Sequence, residues 1–151
     1  MWYERNKRRS NIHAGSHVSD KAEIGLPGEW RGRDSSFPAV VMPGAVISEF
    51  ARVQSGCERE TLIMAGAFIM AGAHIGHDAI IGSDADICPN AVICGLAEIG
   101  KGAKVYSGAV VSPKIKIGDG AIIAANSTVT TDVPPNQVWG GSPAKFIRDR
   151  A

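Results

Sequence analysis

Large aliphatic residues recur at every sixth position through the middle and the end of the chain. Between residues 63 and 129 every sixth residue is isoleucine or valine: Ile63, Ile69, Ile75, Ile81, Ile87, Ile93, Ile99, Val105, Val111, Ile117, Ile123 and Val129. The residue four places after each is nearly always small, and nine of these twelve are alanine. A helix would space its apolar residues by three and four, and a freestanding strand would alternate, so the period of six excludes both.

A six-residue unit is long enough for one short strand followed by a tight corner. The large aliphatic residue points inward from the strand, the small residue fits inside the turn, and glycine tolerates the positive φ that corners need. Three units close a triangle, so one coil takes about 18 residues and rises by about 4.8 Å. Each coil buries its inner residues against the coils above and below. The pattern therefore predicts an all-β fold, a three-sided parallel β-helix.

The repeat extends backward with two irregularities, and we expect a single domain over residues 1–151. The earlier inward positions are Ile12, Val18, Ile24, Val41, Ile47 and Val53. The β-helix is predicted over residues 11–134, about six coils. It is interrupted by an insertion at 26–37 and by a shift in register over 55–61. The chain leaves the repeat at Pro134 and Pro135, and within the tail, 135–151, residues 143–150 are expected to be a terminal loop followed by a short helix.

Composition and charge narrow the class of partner. The 16 Lys and Arg nearly balance the 15 Asp and Glu, so no long-range field recruits nucleic acid or an anionic membrane. The basic run at residues 5–9 is expected to be a solvated arm. Cys57, Cys88 and Cys94 form neither a disulfide framework nor a zinc cage. No stretch approaches about 20 apolar residues and no signal peptide is evident, so we expect a cytoplasmic protein.

The repeat, [Ile/Val/Leu]-Gly-x-x-[small]-x, resembles the bacterial hexapeptide-repeat acyl/acetyltransferase family. The stretch AHIGHDAIIGSDADICPNAVICG is most similar to sugar acetyltransferases of the sialic-acid and bacillosamine type. The resemblance implies a left-handed β-helix, an exception to the right-handed crossover rule. It also implies a homotrimer with active sites between subunits, acetyl-CoA as co-substrate and no metal. The ending DVPPNQVWGGSPAKFIR is similar to family tails in which Pro-Ala-Lys closes the acyl-CoA channel.

His77 is the candidate general base, because acyl transfer needs a proton acceptor with a pKa near neutrality. It lies on an outward corner, and the equivalent residue one coil later is Gly95. The missing side chain opens a groove in which the N–H of Gly95 could stabilise the oxyanion. The resemblance assigns the same roles to both residues, whereas the alternative for His77 is a solvated turn histidine. Asp78 could orient the imidazole, or it could be an ordinary surface acid, since adjacent residues on a corner point apart.

The acceptor site is less well defined by the sequence. His74 stacks at 18-residue steps with Val92, Val110 and Thr128, which favours a structural or substrate-facing role. Asp86 stands where the sugar acetyltransferases often have a second histidine that contacts the acetyl donor, so the acceptor class stays open. Arg31 and Arg33, in the insertion, could bind an acidic or phosphorylated acceptor, or could belong to a surface excursion that packs within a trimer.

Pantetheine is expected to contact mainly backbone along the groove. The candidate coenzyme-binding residues are Gly95, Pro113, Ala125, Asn126, Lys145 and Arg148. Lys145 and Arg148 could meet the coenzyme phosphates, or could simply form a solvated basic end. Trp139 could cover the adenine or pack the tail onto the last coil.

These observations favour an acetyl-CoA-dependent acetyltransferase that acts on an amine or hydroxyl of a small acceptor, with a sugar or nucleotide sugar preferred. One alternative is a metalloenzyme similar to the γ-carbonic anhydrases, which need three histidines on one metal. The repeat region holds only His74 and His77, and Gly82 stands where a further histidine would be needed. The other alternative is a non-catalytic assembly module built on the same scaffold.

Overall fold

The computed structural model describes residues 10–26 and 37–151, and within them almost every strand lies parallel to the strands of the next coil. The strands form three sheets, which are the three faces of a left-handed parallel β-helix. The predicted fold class is therefore confirmed. Within the described residues no helix is long and apolar enough to cross a membrane.

As far as β18 each face receives every third strand of the chain, and β19 and β20 extend the second face. The first face contains β1 (Ser10–Ile12), β4 (Ala39–Val41), β7 (Thr61–Ile63), β10 (Ile80–Ile81), β13 (Glu98–Ile99) and β16 (Lys116–Ile117). The second face contains β2 (His17–Val18), β5 (Val46–Ile47), β8 (Phe68–Ile69), β11 (Asp86–Ile87), β14 (Lys104–Val105), β17 (Ile122–Ile123), β19 (Gln137–Gly141) and β20 (Ala144–Asp149). The third face contains β3 (Glu23–Leu26), β6 (Arg52–Gln54), β9 (His74–Ile75), β12 (Val92–Ile93), β15 (Val110–Val111) and β18 (Thr128–Val129).

The core is a stack of identical contacts between coils. On the first face Ile81 pairs with Ile63 below it and Ile99 above it, and all three are at most 2% exposed. The small residue of each unit fills the inside of a corner, as fully buried Ala79 and Ala97 do. Side chains cannot interdigitate across so narrow a triangle unless large and small residues alternate, which is why the period is strict.

The turns that connect the third face to the first face form one edge of the prism, which we call the His77 corner. It comprises residues 55–60, 76–79, 94–97 and 112–115. The first of these turns is the register shift noted in the sequence. Ten residues separate the inward Val53 from the inward Ile63, whereas six separate Ile75 from Ile81. The four extra residues allow the 55–60 turn to fold over the neighbouring coil.

The insertion begins and ends beside this enlarged turn. Residues 27–36 lie outside the described residues, and so do the predicted substrate residues Arg31 and Arg33. At its start, the N–H of Ser55 donates to the carbonyl oxygen of Leu26 at 2.7 Å. At its end, Phe37 and Gly56 exchange two backbone hydrogen bonds of 3.2 and 3.0 Å. Both flanks of the insertion are thus attached to the His77 corner.

The prediction of a loop and a short helix within residues 143–150 is wrong. Residues 137–149 form the antiparallel hairpin β19–β20, and β19 pairs in parallel with β17. The last coil would otherwise expose the unpaired N–H and C=O groups of β17. Val138 and Trp139 satisfy that edge, opposite Ile122 and Ile123, and are residue types that favour strands.

Candidate active site

His77 lies on the corner between β9 and β10, with its imidazole only 13% exposed. Its backbone N–H donates to Oε1 of Gln54 at 3.1 Å. The ring covers the backbone of Gly95, since a Cβ at position 95 would lie 2.5 Å from Nε2 of His77 and 2.7 Å from Cε1. No residue with a side chain fits there unless the imidazole moves. The structure therefore brings His77 and Gly95 into direct contact, as the 18-residue stacking predicts.

Asp78 is turned toward His77 despite being its sequence neighbour. Its backbone has φ of 61°, in the left-handed region, and this redirects the side chain. Oδ2 of Asp78 lies 2.6 Å from Nδ1 of His77. The Asp78 side chain is completely buried, so the interpretation of an ordinary surface acid does not hold. An ionised carboxylate can only accept, so Nδ1 carries a proton and Nε2, which faces Gly95, is the basic nitrogen.

The enlarged 55–60 turn surrounds the carboxylate of Asp78. Oδ1 accepts hydrogen bonds from the backbone N–H groups of Cys57 at 2.9 Å, Glu58 at 2.8 Å and Arg59 at 2.7 Å. Gly56 makes this turn possible, because a Cβ there would lie 1.6 Å from the carbonyl oxygen of Arg59. The backbone N–H of Asp78 in turn donates to Oγ1 of buried Thr61 at 2.8 Å.

These contacts decide the charge of Asp78. Burial by itself raises the pKa of this carboxyl, but the hydrogen bonds from Arg59, His77, Glu58 and Cys57 together lower the pKa below its ordinary value. Three N–H donors on one oxygen stabilise the anion strongly. Asp78 is therefore a buried carboxylate that stays ionised, and it can stabilise an imidazolium on His77.

Arg59 fastens the turn to the first face. Its Nε donates to the carbonyl oxygen of Asp78 at 2.9 Å, and its Nη1 lies 3.2 Å from Oε1 of Glu98. Sequence reasoning did not identify Arg59, Thr61 or Glu98 as part of the site. The one available signal was the register shift over 55–61, which marked extra residues without indicating what they surround.

The backbone of His77 and of Gly95 is hydrogen-bonded to the neighbouring coils. The N–H of Leu96 donates to the carbonyl oxygen of His77 at 2.9 Å, and the N–H of Lys114 donates to that of Gly95 at 3.1 Å. Over the residues that the structure describes, the N–H of Gly95 is engaged in no hydrogen bond. The imidazole thus lies against the backbone of Gly95, whose N–H is a candidate hydrogen-bond donor to an oxyanion.

The predicted coenzyme residues lie in three places, one of them on the His77 corner and the other two beyond it. Pro113 is exposed on the His77 corner, one coil beyond Gly95. Ala125 and Asn126 are exposed on a different corner, between β17 of the second face and β18 of the third. Lys145 and Arg148 are exposed on β20, at the end of the second face. Within one chain, Ala125, Asn126, Lys145 and Arg148 therefore do not lie on the His77 corner with Gly95 and Pro113.

Trp139 packs partly buried against the core and donates its Nε1–H to Oε1 of Gln137 at 2.8 Å. The packing interpretation of this residue is therefore the one the structure supports.

The two remaining predicted substrate residues lie on different faces. His74 is on the third face, between Arg52 and Val92 in neighbouring strands, as the predicted stacking requires. Burial, with a smaller effect of Arg52, lowers the pKa of His74. Asp86 is on the second face, where its Oδ2 lies 2.8 Å from Nζ of Lys104. This ion pair raises the pKa of Lys104, and the position of β11 on the second face places Asp86 away from the His77 corner of its own chain.

Comparison with known families agrees with the fold. The model described as "Bacterial transferase hexapeptide (six repeats)" matches residues 60–95 and 97–131. The two matched segments make up slightly less than half of this chain, and over them the chain is similar to the bacterial transferase hexapeptide repeats. A chloramphenicol acetyltransferase of Morganella morganii is 50% identical over 56 residues, which are 37% of this chain. The match covers 27% of that relative, so the chain spans about a quarter of the length of the curated proteins it resembles.

Solved structures extend the similarity to nearly the whole chain. LpxA from Acinetobacter baumannii superimposes on 92% of this chain and 55% of its own, with a TM-score of 0.88 and 21% identity. At that identity the likeness concerns the fold alone. A variant of GDP-perosamine N-acetyl transferase from Caulobacter crescentus, in complex with CoA and GDP-perosamine, is 25% identical with a TM-score of 0.58. That superposition covers 98% of this chain and 63% of the Caulobacter chain.

Proposed function

We propose that this protein is an acetyltransferase that moves an acetyl group from acetyl-CoA to an amine or hydroxyl of a small acceptor. The observation that carries the proposal is the contact of the His77–Asp78 pair with the backbone of Gly95. The same pair lies on hexapeptide repeats, and similar proteins are named acetyltransferases.

The geometry supports one sequence of steps. Nε2 of His77 removes the proton from the acceptor as its nitrogen or oxygen attacks the thioester carbonyl. The oxyanion of the tetrahedral intermediate accepts the hydrogen bond of the Gly95 N–H, a contribution of about 2.7–4 kcal/mol to the barrier. Asp78 stabilises the imidazolium during this step. The intermediate then expels the CoA thiolate, which takes the proton from His77.

The proposed active site lies between two subunits of a homotrimer. In one chain, Gly95 and Pro113 lie on the His77 corner, while Ala125, Asn126 and the β20 cations lie beyond the second face. In the proposed trimer one coenzyme touches both groups, each contributed by a different chain. The same arrangement would let Asp86 of a neighbouring subunit approach the His77 corner.

We propose a sugar or nucleotide sugar as the acceptor, recognised by the insertion. Its two flanks are hydrogen-bonded to Ser55 and Gly56, which begin the turn that surrounds Asp78. Arg31 and Arg33 are candidates for binding its phosphates. The similar Caulobacter enzyme is described in complex with GDP-perosamine, a nucleotide sugar.

The carbonic-anhydrase-like alternative is not favoured, because His13 and His17 are exposed on the first coil and cannot join His74 and His77 at one metal.

The assembly-module alternative is tested by activity. Purified protein is incubated with acetyl-CoA and a panel of amino sugars, nucleotide sugars and amino acids, and release of the CoA thiol is followed. We expect turnover with at least one sugar, and His77→Asn should reduce kcat by about 10²- to 10⁴-fold. The matched control is His17→Asn, on an exposed strand of the first coil. Equal kcat in wild type and His77→Asn would exclude His77 as the base.

A further inference from the structure

A thiol lies beside the proposed catalytic pair. Sγ of Cys57, one nitrogen of His77 and one carboxylate oxygen of Asp78 lie within 4.8 Å of one another. Over residues 10–26 and 37–151, no other three side chains of these types converge in this way. The cluster exists because the four extra residues of the 55–60 turn bring Cys57 over the neighbouring coil.

We propose that Cys57, His77 and Asp78 form a binding site for Zn²⁺ and that zinc inhibits the enzyme reversibly. Thiolate, imidazole and carboxylate are the three ligand types that zinc uses. A thiolate selects against Mg²⁺ and Ca²⁺, which take oxygen ligands. Three protein ligands leave a fourth position for water or another small ligand.

The distances are compatible with tetrahedral coordination. Zinc bonds of about 2.0–2.3 Å place its ligand atoms roughly 3.3–3.6 Å apart. Contraction of the cluster and a small separation of Asp78 Oδ2 from His77 Nδ1, now 2.6 Å apart, would reach that geometry.

The hydrogen bonds to Asp78 resemble those that orient a metal-binding carboxylate in a protein. Oδ1 is already held by three backbone N–H groups, which leaves Oδ2 as the oxygen that meets the ion. Such outer contacts orient a ligand and add to metal affinity. Cys57 is 8% exposed and the imidazole 13%, so the ion would be largely shielded from water.

Inhibition follows from the electron pairs that the metal uses. A zinc ion bound to Cys57 and His77 requires that the thiol release its proton to solvent and that the proton of Nδ1 be replaced by one on Nε2, so that Nδ1 gives its lone pair to the metal. The imidazole can then no longer accept a proton from the acceptor. The inhibition rests on the proposed acetyltransferase function, whereas the binding of zinc does not.

Binding is tested first, without reference to activity. The full chain is stripped of metal and titrated with Zn²⁺ by calorimetry in buffers of different ionisation enthalpy, and with Co²⁺ by absorption spectroscopy. We expect one ion per chain, proton release, and a sulfur-to-cobalt charge-transfer band. Cys57→Ser should abolish the band and weaken Zn²⁺ binding by at least about tenfold. Cys94→Ser, which removes a thiol of the same corner outside the cluster, should bind as wild type does.

The outcomes decide each proposal separately. A wild-type protein without the band, or a Cys57→Ser variant that binds Zn²⁺ as tightly as wild type, would overturn the zinc site. Circular dichroism and melting of Cys57→Ser show whether it folds, and Cys57→Ala serves as the second variant. In the activity arm, Zn²⁺ should inhibit thiol release and a chelator should restore it, with the inhibitory concentration raised in Cys57→Ser. Activity that is undiminished by saturating Zn²⁺ would overturn the inhibition. If no acceptor supports turnover, the acetyltransferase proposal fails, while calorimetry and the cobalt spectrum still decide the site.

Discussion

Oδ2 of Asp78 lies 2.6 Å from Nδ1 of its own sequence neighbour, His77. Consecutive residues normally point apart, and here the left-handed φ of Asp78 reverses that rule. The pair is held by a turn from the preceding coil, so its geometry depends on residues about twenty positions earlier in the chain. Each of these contacts can be removed singly by substitution.

Asp78→Asn should lower kcat by about 10²- to 10⁴-fold. An amide cannot stabilise the imidazolium, and its NH₂ group can favour the wrong tautomer of His77. Asp78→Asn also replaces the anion that accepts three N–H bonds, so we expect a loss of about 1–3 kcal/mol in the free energy of unfolding. Steady-state kinetics and chemical denaturation measure the two effects. The control is Asp20→Asn at an exposed position; an Asp78→Asn variant as active as Asp20→Asn would contradict the role of Asp78.

Gly95→Ala should destabilise the protein because the added methyl group collides with the imidazole of His77, and not because of backbone strain at position 95. The added Cβ would lie 2.5 Å from Nε2, so the imidazole must move, at a cost of about 1–3 kcal/mol. A double-mutant cycle with His77→Ala tests the cause by thermal and chemical unfolding. In the His77→Ala background the alanine at 95 should cost much less. Equal costs in both backgrounds would show that the contact with the imidazole is not responsible.

Thr61→Val should destabilise the site while keeping the side-chain shape. It removes the oxygen that accepts the N–H of fully buried Asp78, and an unsatisfied buried N–H costs about 1–3 kcal/mol. Thr128→Val, on the outward side of β18, is the matched control. The free energy of unfolding is compared by urea titration. The prediction fails if both variants lose the same amount.

The pH dependence of stability should include a contribution from His74. Burial lowers the pKa of His74 in the folded state below the ordinary value of 6.5. Between the two pKa values the unfolded chain binds more protons, so stability falls as the pH falls through this window. Nearby Arg52, which is ion-paired with Glu23, acts in the same direction.

His74→Gln should therefore lose less stability than wild type between about pH 7 and pH 5. The free energy of unfolding is measured by urea titration at each pH. The control is Thr128→Gln, at the equivalent position on β18 of the same face, which removes no titratable group and should follow the wild-type curve. A His74→Gln curve parallel to that of wild type would contradict the assignment.

Much of the site could be predicted from spacing, and the remainder depended on contacts without a period. Stacking at 18 residues placed His77 against Gly95, because every coil repeats the position of the last. The role of the 55–60 turn could not be predicted, since four extra residues have no equivalent in the other coils. The coenzyme residues were assigned to one groove, although stacking at 18 residues places only Gly95 and Pro113 above His77, and Asn126 lies on another corner.

The sequence by itself determined the β-helix, because the same inward aliphatic residue and the same small corner residue recur in every coil and favour the same local geometry each time. Only the tertiary structure decided how the irregular parts are used. The tail forms a hairpin instead of a helix, since the backbone N–H and C=O groups at the edge of β17 need hydrogen-bond partners and β19 supplies them. The 55–60 turn folds around buried Asp78, since an ionised carboxylate needs hydrogen-bond donors and the backbone N–H groups of the turn supply them. Both outcomes depend on polar groups that find no hydrogen-bond partner within the repeat itself. The spacing of residues along the sequence does not show which partners such groups find.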